Sequence, residues 1–178
     1  MGKIITFTGA SGTGKDTIAR SLGFPYITST TTRPLREDDR PGEYELVSHE
    51  DFNRLINRNA FAWWQPFADE LYGTKVDYLK AAPEAPYTSV MILIPERVRD
   101  LREFVPVDLI TSFYILSPDS AELRARLEKR GDRAEKIERR LQERSWDEQA
   151  MRSDIPYVFI TNNGTIDEAV EQVKGYLK

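Results

Sequence analysis

Short apolar runs alternate with amphipathic stretches along most of the chain. Runs such as Ile4–Thr8, Ser89–Ile94 and Ile110–Leu116 are typical of buried parallel strands. Because strands that alternate with helices build a parallel sheet covered by helices, this pattern predicts an α/β fold. The other predicted strands are Tyr26–Ser29, Tyr44–Val47, Phe61–Phe67 and Tyr157–Ile160, and the predicted helices are Asp16–Leu22, His49–Arg58, Lys75–Ala82, Arg97–Phe104, Pro118–Arg130, Glu135–Arg152 and Thr165–Leu177.

The stretch from residue 38 to residue 67 interrupts this alternation with shorter strands, which predicts an inserted subdomain. Before it, residues 30–42 are polar and carry Pro34 and Pro41. Because proline lacks a backbone N–H and fixes φ, we expect this segment to be an irregular loop. We find no linker or repeat that would indicate a second full domain.

A glycine-rich segment follows the first predicted strand. Residues 9–15 read GASGTGK, and a predicted helix begins directly after them. Glycines let the backbone N–H groups turn toward an anion, and the helix adds its positive N-terminal end. This is the pattern of a P-loop, which predicts binding of a nucleoside triphosphate and a P-loop NTPase-type parallel sheet. The residues expected at this site are Gly9, Ser11, Gly12, Thr13, Gly14, Lys15, Asp16 and Thr17.

One position departs from the P-loop pattern. Asp16 stands where the pattern has Ser or Thr, whose hydroxyl would bind Mg²⁺. Its carboxylate is a candidate metal ligand, and Thr17 is the next oxygen along the helix. The alternative is that Asp16 only complements the helix dipole in the first turn.

Two arginines three residues apart, Arg33 and Arg36, follow the second predicted strand. Planar guanidinium groups bind phosphate through paired N–H groups, and ligands bind at strand ends in open α/β sheets. A second anion site of this kind is what phosphoryl transfer to a phosphorylated acceptor requires. A solvated basic turn is the alternative.

Composition narrows the class of protein. The chain has 178 residues, 40% apolar residues, no cysteine and one histidine, His49, which the sequence places at a helix start capped by Ser48. These counts exclude disulfides and thiolate or histidine-rich metal sites. The net charge of −4 argues against stable nucleic-acid binding. Without a membrane-length apolar run or room for a signal peptide before the first strand, we expect a cytoplasmic protein.

An ordered set of motifs, spread nearly from end to end, resembles the guanylate kinases. They comprise the glycine loop, the arginine loop, a Tyr-Gly-Thr triplet, an Arg-Leu-x-x-Arg-Gly segment and a late Asn-Asn pair. Beyond the glycine loop, the matching residues are Ser29, Thr32, Arg33, Pro34, Arg36, Gly42, Tyr44, Val47, Ser48, Phe52, Tyr72, Gly73, Thr74, Arg126, Leu127, Arg130, Gly131, Ile137, Arg140, Leu141, Asn162 and Asn163.

The resemblance implies a nucleoside monophosphate kinase that uses ATP and Mg²⁺. It implies a core (1–32, 84–125 and 150–178), a small NMP-binding subdomain (about 33–83) and an arginine-bearing helical lid (about 126–149). Catalysis would rest on positioning and on the positive field around the phosphates. By the resemblance, Ser29, Arg33, Arg36 and Tyr44 bind the acceptor phosphate, Tyr72 and Thr74 line the acceptor site, Arg130 and Arg140 cover the ATP phosphates, Lys15 is catalytic, and Asn162 lies near the adenine.

Two further departures concern the acceptor. The guanylate kinases carry a glutamate that reads guanine where this chain has Trp63, whose indole would stack on a base or pack in the small subdomain. They also carry an Asp-x-Asp after the third core strand, where only Glu96 offers a carboxylate for guanine or magnesium. Asp69 and Glu70 are candidates for a relocated reader.

The sequence therefore leaves alternatives open. GMP or dGMP is the default acceptor, and another or modified base is an alternative. The second alternative is a phosphosugar kinase that resembles the ribose 1,5-bisphosphate phosphokinases. Those enzymes often carry Gly-Lys-Asp in the P-loop, as this chain does at residues 14–16. A third is a non-catalytic binding module, against which Lys15 and both loop arginines argue. We expect a monomer or homodimer with small nucleotides as its ligands and no membrane contact.

Overall fold

The computed structural model describes residues 1–37, 39–67, 69–143 and 145–177. Within these residues the strands form two four-stranded sheets. The strands are β1 Ile4–Thr8, β2 Ser29–Thr31, β3 Tyr44–Leu46, β4 Phe61–Phe67, β5 Glu70–Lys75, β6 Ser89–Ile92, β7 Ile110–Ile115 and β8 Val158–Ile160. The helices are α1 Lys15–Ser21, α2 His49–Asn57, α3 Val76–Ala81, α4 Pro95–Leu101, α5 Ser120–Lys129, α6 Ala134–Gln142, α7 Ser145–Met151 and α8 Ile166–Tyr176.

The first sheet is parallel, flanked by helices and ordered β6-β1-β7-β8, which confirms the predicted α/β fold class. Its strands are apolar because both faces are covered. All five residues of β1 are buried, and the Phe7 and Phe113 rings stack with centroids 5.5 Å apart. The sheet thus provides a fixed edge from which the glycine loop departs after Thr8.

The second sheet has the order β3-β2-β5-β4, with β2 parallel to β3 and antiparallel to β5. Part of the sequence prediction is wrong here. The second strand is Ser29–Thr31 rather than Tyr26–Ser29, and Tyr26 forms an isolated bridge with Val90 outside the named strands. The start of the supposed loop is therefore a strand, because its hydrogen-bond partners come from distant β3 and β5.

Strand β5 was not predicted, because glycine at position 73 is a weak strand former. A Cβ there would lie 2.7 Å from the Phe61 ring, so the close packing of that ring requires glycine. Strand β4 agrees with the prediction, and it is an edge strand, which accommodates Pro66.

The long helix predicted from Glu135 to Arg152 is two helices, α6 and α7, and Arg144 lies outside the described residues. The Asp147 carboxylate in α7 accepts hydrogen bonds from the Tyr114 hydroxyl (3.1 Å) and the Ser117 backbone N–H (2.9 Å). These contacts direct α7 toward the end of β7. The predicted cap is confirmed, since Ser48 accepts a hydrogen bond from Asp51 N at the start of α2.

The chain folds into two compact units. One comprises Met1–Ile5, Phe24–Met91 and Glu96–Ile110, and the other comprises Thr6–Gly23, Ile92–Pro95 and Thr111–Lys178. The division into core, NMP-binding subdomain and lid expected from the sequence is a different partition and stays a prediction. Among the described residues, no helix has both the length and the apolar character needed to cross a membrane.

Candidate active site

The glycine loop joins β1 to α1 in a conformation that only glycine adopts readily. Gly9, Gly12 and Gly14 have φ values of 142°, 89° and 92°. Gly14 is the N-cap of α1, and a Cβ on it would lie 2.4 Å from Nδ2 of Asn162. The positive φ and the lack of space both require glycine, and together they leave a curled backbone at the helix N-terminus.

Side chains fix the loop from inside. The Thr13 hydroxyl donates to the Ala10 carbonyl at 3.0 Å, and the Lys15 ammonium donates to the same carbonyl at 2.8 Å. The Asn162 amide donates to the Thr13 carbonyl at 2.9 Å. The buried Thr13 therefore supports the backbone, and Asn162 binds the loop directly.

Lys15 is half-buried beside this loop. Burial lowers its pKa below the usual 10.5, while the nearby Asp16 and Glu143 carboxylates act in the opposite direction. A partly buried ammonium that lines a cleft can pair with an anion there. A phosphate bound next to this ammonium would offset the unfavourable free energy of its desolvation.

A cleft of about 760 Å³ opens beside the loop. It is bordered by most of the residues predicted for the donor nucleotide, while Gly9 and the buried Thr13 do not border it. The cleft is also lined by Arg126 and Lys129 of α5, which the sequence prediction did not include in the site. Residues 126, 129 and 130 are three and four positions apart, and this spacing could have indicated that they share one helix face. The predicted residues that line the cleft are Ser11, Gly12, Gly14, Lys15, Asp16, Thr17, Arg130 and Asn162.

One carboxylate, that of Asp132, connects the two arginines of the predicted lid. Asp132 follows the turn after α5 and is only 9% exposed. Arg130 contacts its Oδ2 through Nη2 at 2.5 Å, Arg140 bonds the same oxygen, and Lys136 lies 3.3 Å from Oδ1. Sequence reasoning missed this residue because charges alternate throughout α5 and α6.

A second carboxylate, that of Glu143, reaches the glycine loop. The Ser11 backbone N–H donates to its Oε2 at 3.0 Å, and Arg130 Nη2 lies 3.5 Å from the Ser11 hydroxyl. An inward-pointing N–H of a glycine loop is the type of group that binds phosphate oxygens. Glu143 was also not predicted, because it is 132 residues from Ser11 in the chain.

The predicted acceptor-phosphate residues lie in the other compact unit. Arg33 is 6% exposed and donates to Asp39 Oδ1 at 2.7 Å and to the Pro34 carbonyl at 2.7 Å. Its guanidinium lies 4.7 Å from the centroid of the Tyr44 ring. Hydrogen bonding to Asp39 raises the pKa of Arg33, and the same bond lowers the pKa of Asp39. Arg36 is exposed, and only its backbone N–H bonds to Asp39 (2.7 Å).

The register of the second sheet brings the remaining acceptor residues into one row. Tyr44 pairs with Ser29 across β3 and β2, and Trp63 pairs with Thr74 across β4 and β5. Trp63 is 8% exposed and its indole meets the Phe104 ring edge-on at 6.4 Å. This packing leaves little of the indole face for stacking on a base.

The two candidate metal ligands lie on different helices. Asp16 is in the first turn of α1, and Glu96 is in the first turn of α4. Over the described ranges, no group of three Asp, Glu or His side chains has the arrangement of a metal site. The metal-binding roles of both residues stay predictions.

The parallel sheet, the glycine loop and the lysine in the cleft define a P-loop nucleotide-binding protein. The chain matches the family described as Guanylate kinase over residues 1–178. It is 30% identical to a guanylate kinase of Prochlorococcus marinus (strain MIT 9312), covering 96% of this chain and 94% of that protein. It is 32% identical to one of Neisseria meningitidis, covering 97% and 85%.

A solved structure gives the same result for the fold. The crystal structure of guanylate kinase from Anaplasma phagocytophilum aligns with a TM-score of 0.69 at 21% identity, over 99% of this chain and 84% of that one. This chain belongs to the guanylate kinase family, whose members are nucleoside monophosphate kinases.

Proposed function

We propose that this chain transfers the γ-phosphoryl group of ATP to the phosphate of a nucleoside monophosphate, with GMP or dGMP as the default acceptor. The observation that carries the proposal is the cleft in which the glycine loop, Lys15 and Arg130 lie together. Its volume and its cationic lining suit a nucleoside triphosphate. Family membership supports the phosphotransferase reaction.

Donor binding follows from the chemistry of the cleft. The N–H groups of the loop and the start of α1 bind phosphate oxygens, and Lys15 adds a cation close to them. Charge shifts onto the phosphate oxygens as the γ-phosphoryl group transfers. Lys15, Arg130 and Arg140 would stabilise that charge, which is the main catalytic demand of phosphoryl transfer.

Magnesium has suitable ligands beside Lys15. The Asp16 carboxylate and the Thr17 hydroxyl line the same cleft, and Mg²⁺ takes oxygen ligands. These two residues would hold the ion, and Glu96 is the other predicted ligand. When bound, Mg²⁺ would neutralise charge on the phosphate oxygens.

Acceptor binding rests on the arginine loop. Arg36 is exposed, and no residue in the described part of the chain accepts a hydrogen bond from its guanidinium, so this group can bind an acceptor phosphate. Arg33 is held against Asp39 and Tyr44 and would contribute from a fixed position. Ser29 and Tyr44 would also contact the acceptor phosphate, and Tyr72 and Thr74 would line the rest of the acceptor site.

A coupled ADP-release assay tests the proposal. The panel contains all common NMPs and dNMPs, together with ribose 1,5-bisphosphate. We expect ATP-dependent turnover with at least one purine nucleotide, and its loss in Lys15→Met excludes a contaminating kinase. The proposal would be contradicted if ribose 1,5-bisphosphate were the one substrate in the panel, or if none of the panel compounds were turned over.

A different acceptor base is the second candidate function, and the surroundings of Trp63 favour it. The indole packs on Phe104 where the guanylate kinases carry a glutamate. Glu70, a candidate for a relocated reader, accepts a hydrogen bond from the Thr32 hydroxyl at 2.5 Å. Trp63 offers no carboxylate to guanine, and that of Glu70 is engaged. Asp69, the other candidate, is exposed in the turn between β4 and β5.

A further inference from the structure

One face of the second sheet carries a polar side chain for which no role has been described. Gln65 pairs directly with Tyr72 across β4 and β5, as Trp63 pairs with Thr74. Residues that lie directly opposite in paired strands point to the same face of a sheet. Gln65 therefore shares a face with Trp63, Tyr72 and Thr74.

Strand β2 extends the same face toward the arginine loop. Thr31 pairs with Tyr72, and Ser29 pairs with Tyr44 of β3. The face thus contains every residue that we assign to the acceptor outside the arginine loop. Gln65 lies two residues from Trp63, a separation of about 7 Å along the strand.

Two nearby carboxylates, those of Glu70 and Glu45, are already engaged. Glu70 bonds to Thr32. Glu45 bonds to Lys75 (2.6 Å) and to the Thr30 hydroxyl (2.7 Å), and the pairing of Thr30 with Gly73 places this group on the opposite face. The acceptor face therefore receives no carboxylate from these two residues.

Gln65 is half-buried like these two glutamates. It differs from them because, within the described part of the chain, no residue forms a hydrogen bond with its side-chain amide. A half-buried amide offers one acceptor oxygen and two N–H donors. We propose that Gln65 contacts the base of the acceptor nucleotide and is a specificity-determining residue of this site. The inference rests on the proposed nucleoside monophosphate kinase function.

The chemistry of an amide sets the class of base. A carboxylate only accepts hydrogen bonds, so it selects the two adjacent N–H donors of guanine. An amide pairs with a donor next to an acceptor, as glutamine does with adenine N6 and N7. Cytosine and the N1–O6 edge of guanine also present such a pair. Gln65 therefore gives the site weak discrimination between GMP and AMP, well below the roughly 10⁴-fold or more that a dedicated polar reader achieves.

Direct binding measurements separate this inference from the proposed function. Titration calorimetry would measure GMP, AMP and CMP, and a non-hydrolysable ATP analogue, with the wild type, Gln65→Leu and Gln65→Glu. We expect Gln65→Leu to weaken NMP binding about 10-fold, the value of one lost hydrogen bond in a desolvated site, with ATP-analogue binding unchanged. Gln149→Leu, on the exposed surface of α7, is the matched control.

Gln65→Glu keeps the shape of the side chain and changes only its hydrogen-bonding capacity. We expect it to shift the GMP-to-AMP affinity ratio toward GMP by about 10-fold, and this result stands even if the leucine variant folds poorly. Unchanged NMP affinities in both variants, or an equal loss of ATP-analogue binding, would overturn the inference. A wild type that binds NMPs without releasing ADP would refute only the proposed kinase function, whereas one that binds no NMP would refute both.

Discussion

The Glu143 carboxylate accepts a hydrogen bond at 3.0 Å from the backbone N–H of Ser11, inside the glycine loop. An acidic side chain of the same chain thus binds this loop N–H. A triphosphate that uses this N–H must displace the carboxylate, and the two negative charges repel each other.

We therefore expect Glu143→Gln to bind an ATP analogue more tightly, by about 3- to 10-fold, because it removes a like charge near the phosphates. Glutamine keeps an acceptor for the Ser11 N–H, so the loop conformation is retained. Fluorescence titration with a labelled ATP analogue measures the change. Glu148→Gln, in an exposed pair with Arg152, is the control, and weaker binding in Glu143→Gln would show that the carboxylate supports the site.

Asp132 holds Arg130 and Arg140 side by side, so Asp132→Asn tests whether this alignment matters for turnover. We expect kcat to fall about 10-fold or more while KM for ATP does not rise, since the arginines keep their attraction for phosphate but lose their fixed orientation. Steady-state kinetics with ATP as the varied substrate measures both constants.

The matched control for this prediction is Glu138→Gln, which removes a carboxylate of α6 that pairs with Arg124. It is expected to leave both constants near the wild-type values. A higher KM for ATP with unchanged kcat in Asp132→Asn would instead indicate that the carboxylate only stabilises the lid segment.

Replacement of Lys15 by methionine is expected to separate stability from activity. Because burial lowers the pKa of Lys15, its charge opposes folding in the ligand-free protein. Lys15→Met should therefore raise the melting temperature of the free protein by a few degrees while abolishing turnover. Differential scanning calorimetry checks the first effect, with exposed Lys3→Met as control; a lower melting temperature would contradict it.

The two arginines of the loop should respond differently to truncation. Arg33→Ala leaves Asp39 buried without its partner, so we expect a loss of roughly 1–3 kcal/mol in the free energy of unfolding. Arg36→Ala should leave stability unchanged and raise KM for the acceptor or abolish turnover. Chemical denaturation combined with the coupled assay distinguishes the two; equal stabilities would contradict the assignment.

The Arg33–Asp39 pair also predicts a pH dependence. The Asp39 carboxyl has a folded-state pKa below the usual 3.8. The pair therefore stabilises the protein at pH values above 3.8, and this stabilisation is lost as the pH falls through the lowered pKa. Acid unfolding of the wild type should therefore be steeper below about pH 4 than that of Arg33→Ala. Parallel acid curves would show that the pair does not titrate in this way.

Local signals were sufficient to predict the first sheet and the position of the glycine loop between β1 and α1. The glycine loop was recognisable because its spacing and its strand and helix context lie within a short segment, and the structure has β1 and α1 where the pattern placed them. By contrast, β5 contains Gly73, whose strand conformation depends on packing against Phe61, which local propensity does not represent. The Ser11–Glu143 contact depends entirely on tertiary folding.

The proposed acceptor site shows the same division between local and tertiary information. Both arginines were evident from their spacing, but Asp39 as the partner of Arg33 was not, because acidic residues crowd that segment. Gln65 became visible only through the β4–β5 register, since a lone glutamine in a strand carries no signal. The sequence indicated which types of residue could bind an acceptor. The pairing between strands was needed to show which of them share one face of the second sheet.

The contact between Gly14 and Asn162 has a consequence for variation. A methyl group at position 14 would collide with the Asn162 amide, so the two positions are epistatic, and a smaller residue at 162 would be required first. That replacement removes the collision but not the φ of 92°, and it also removes the hydrogen bond to Thr13. Selection from a library randomised at both positions would therefore recover glycine at 14 almost without exception.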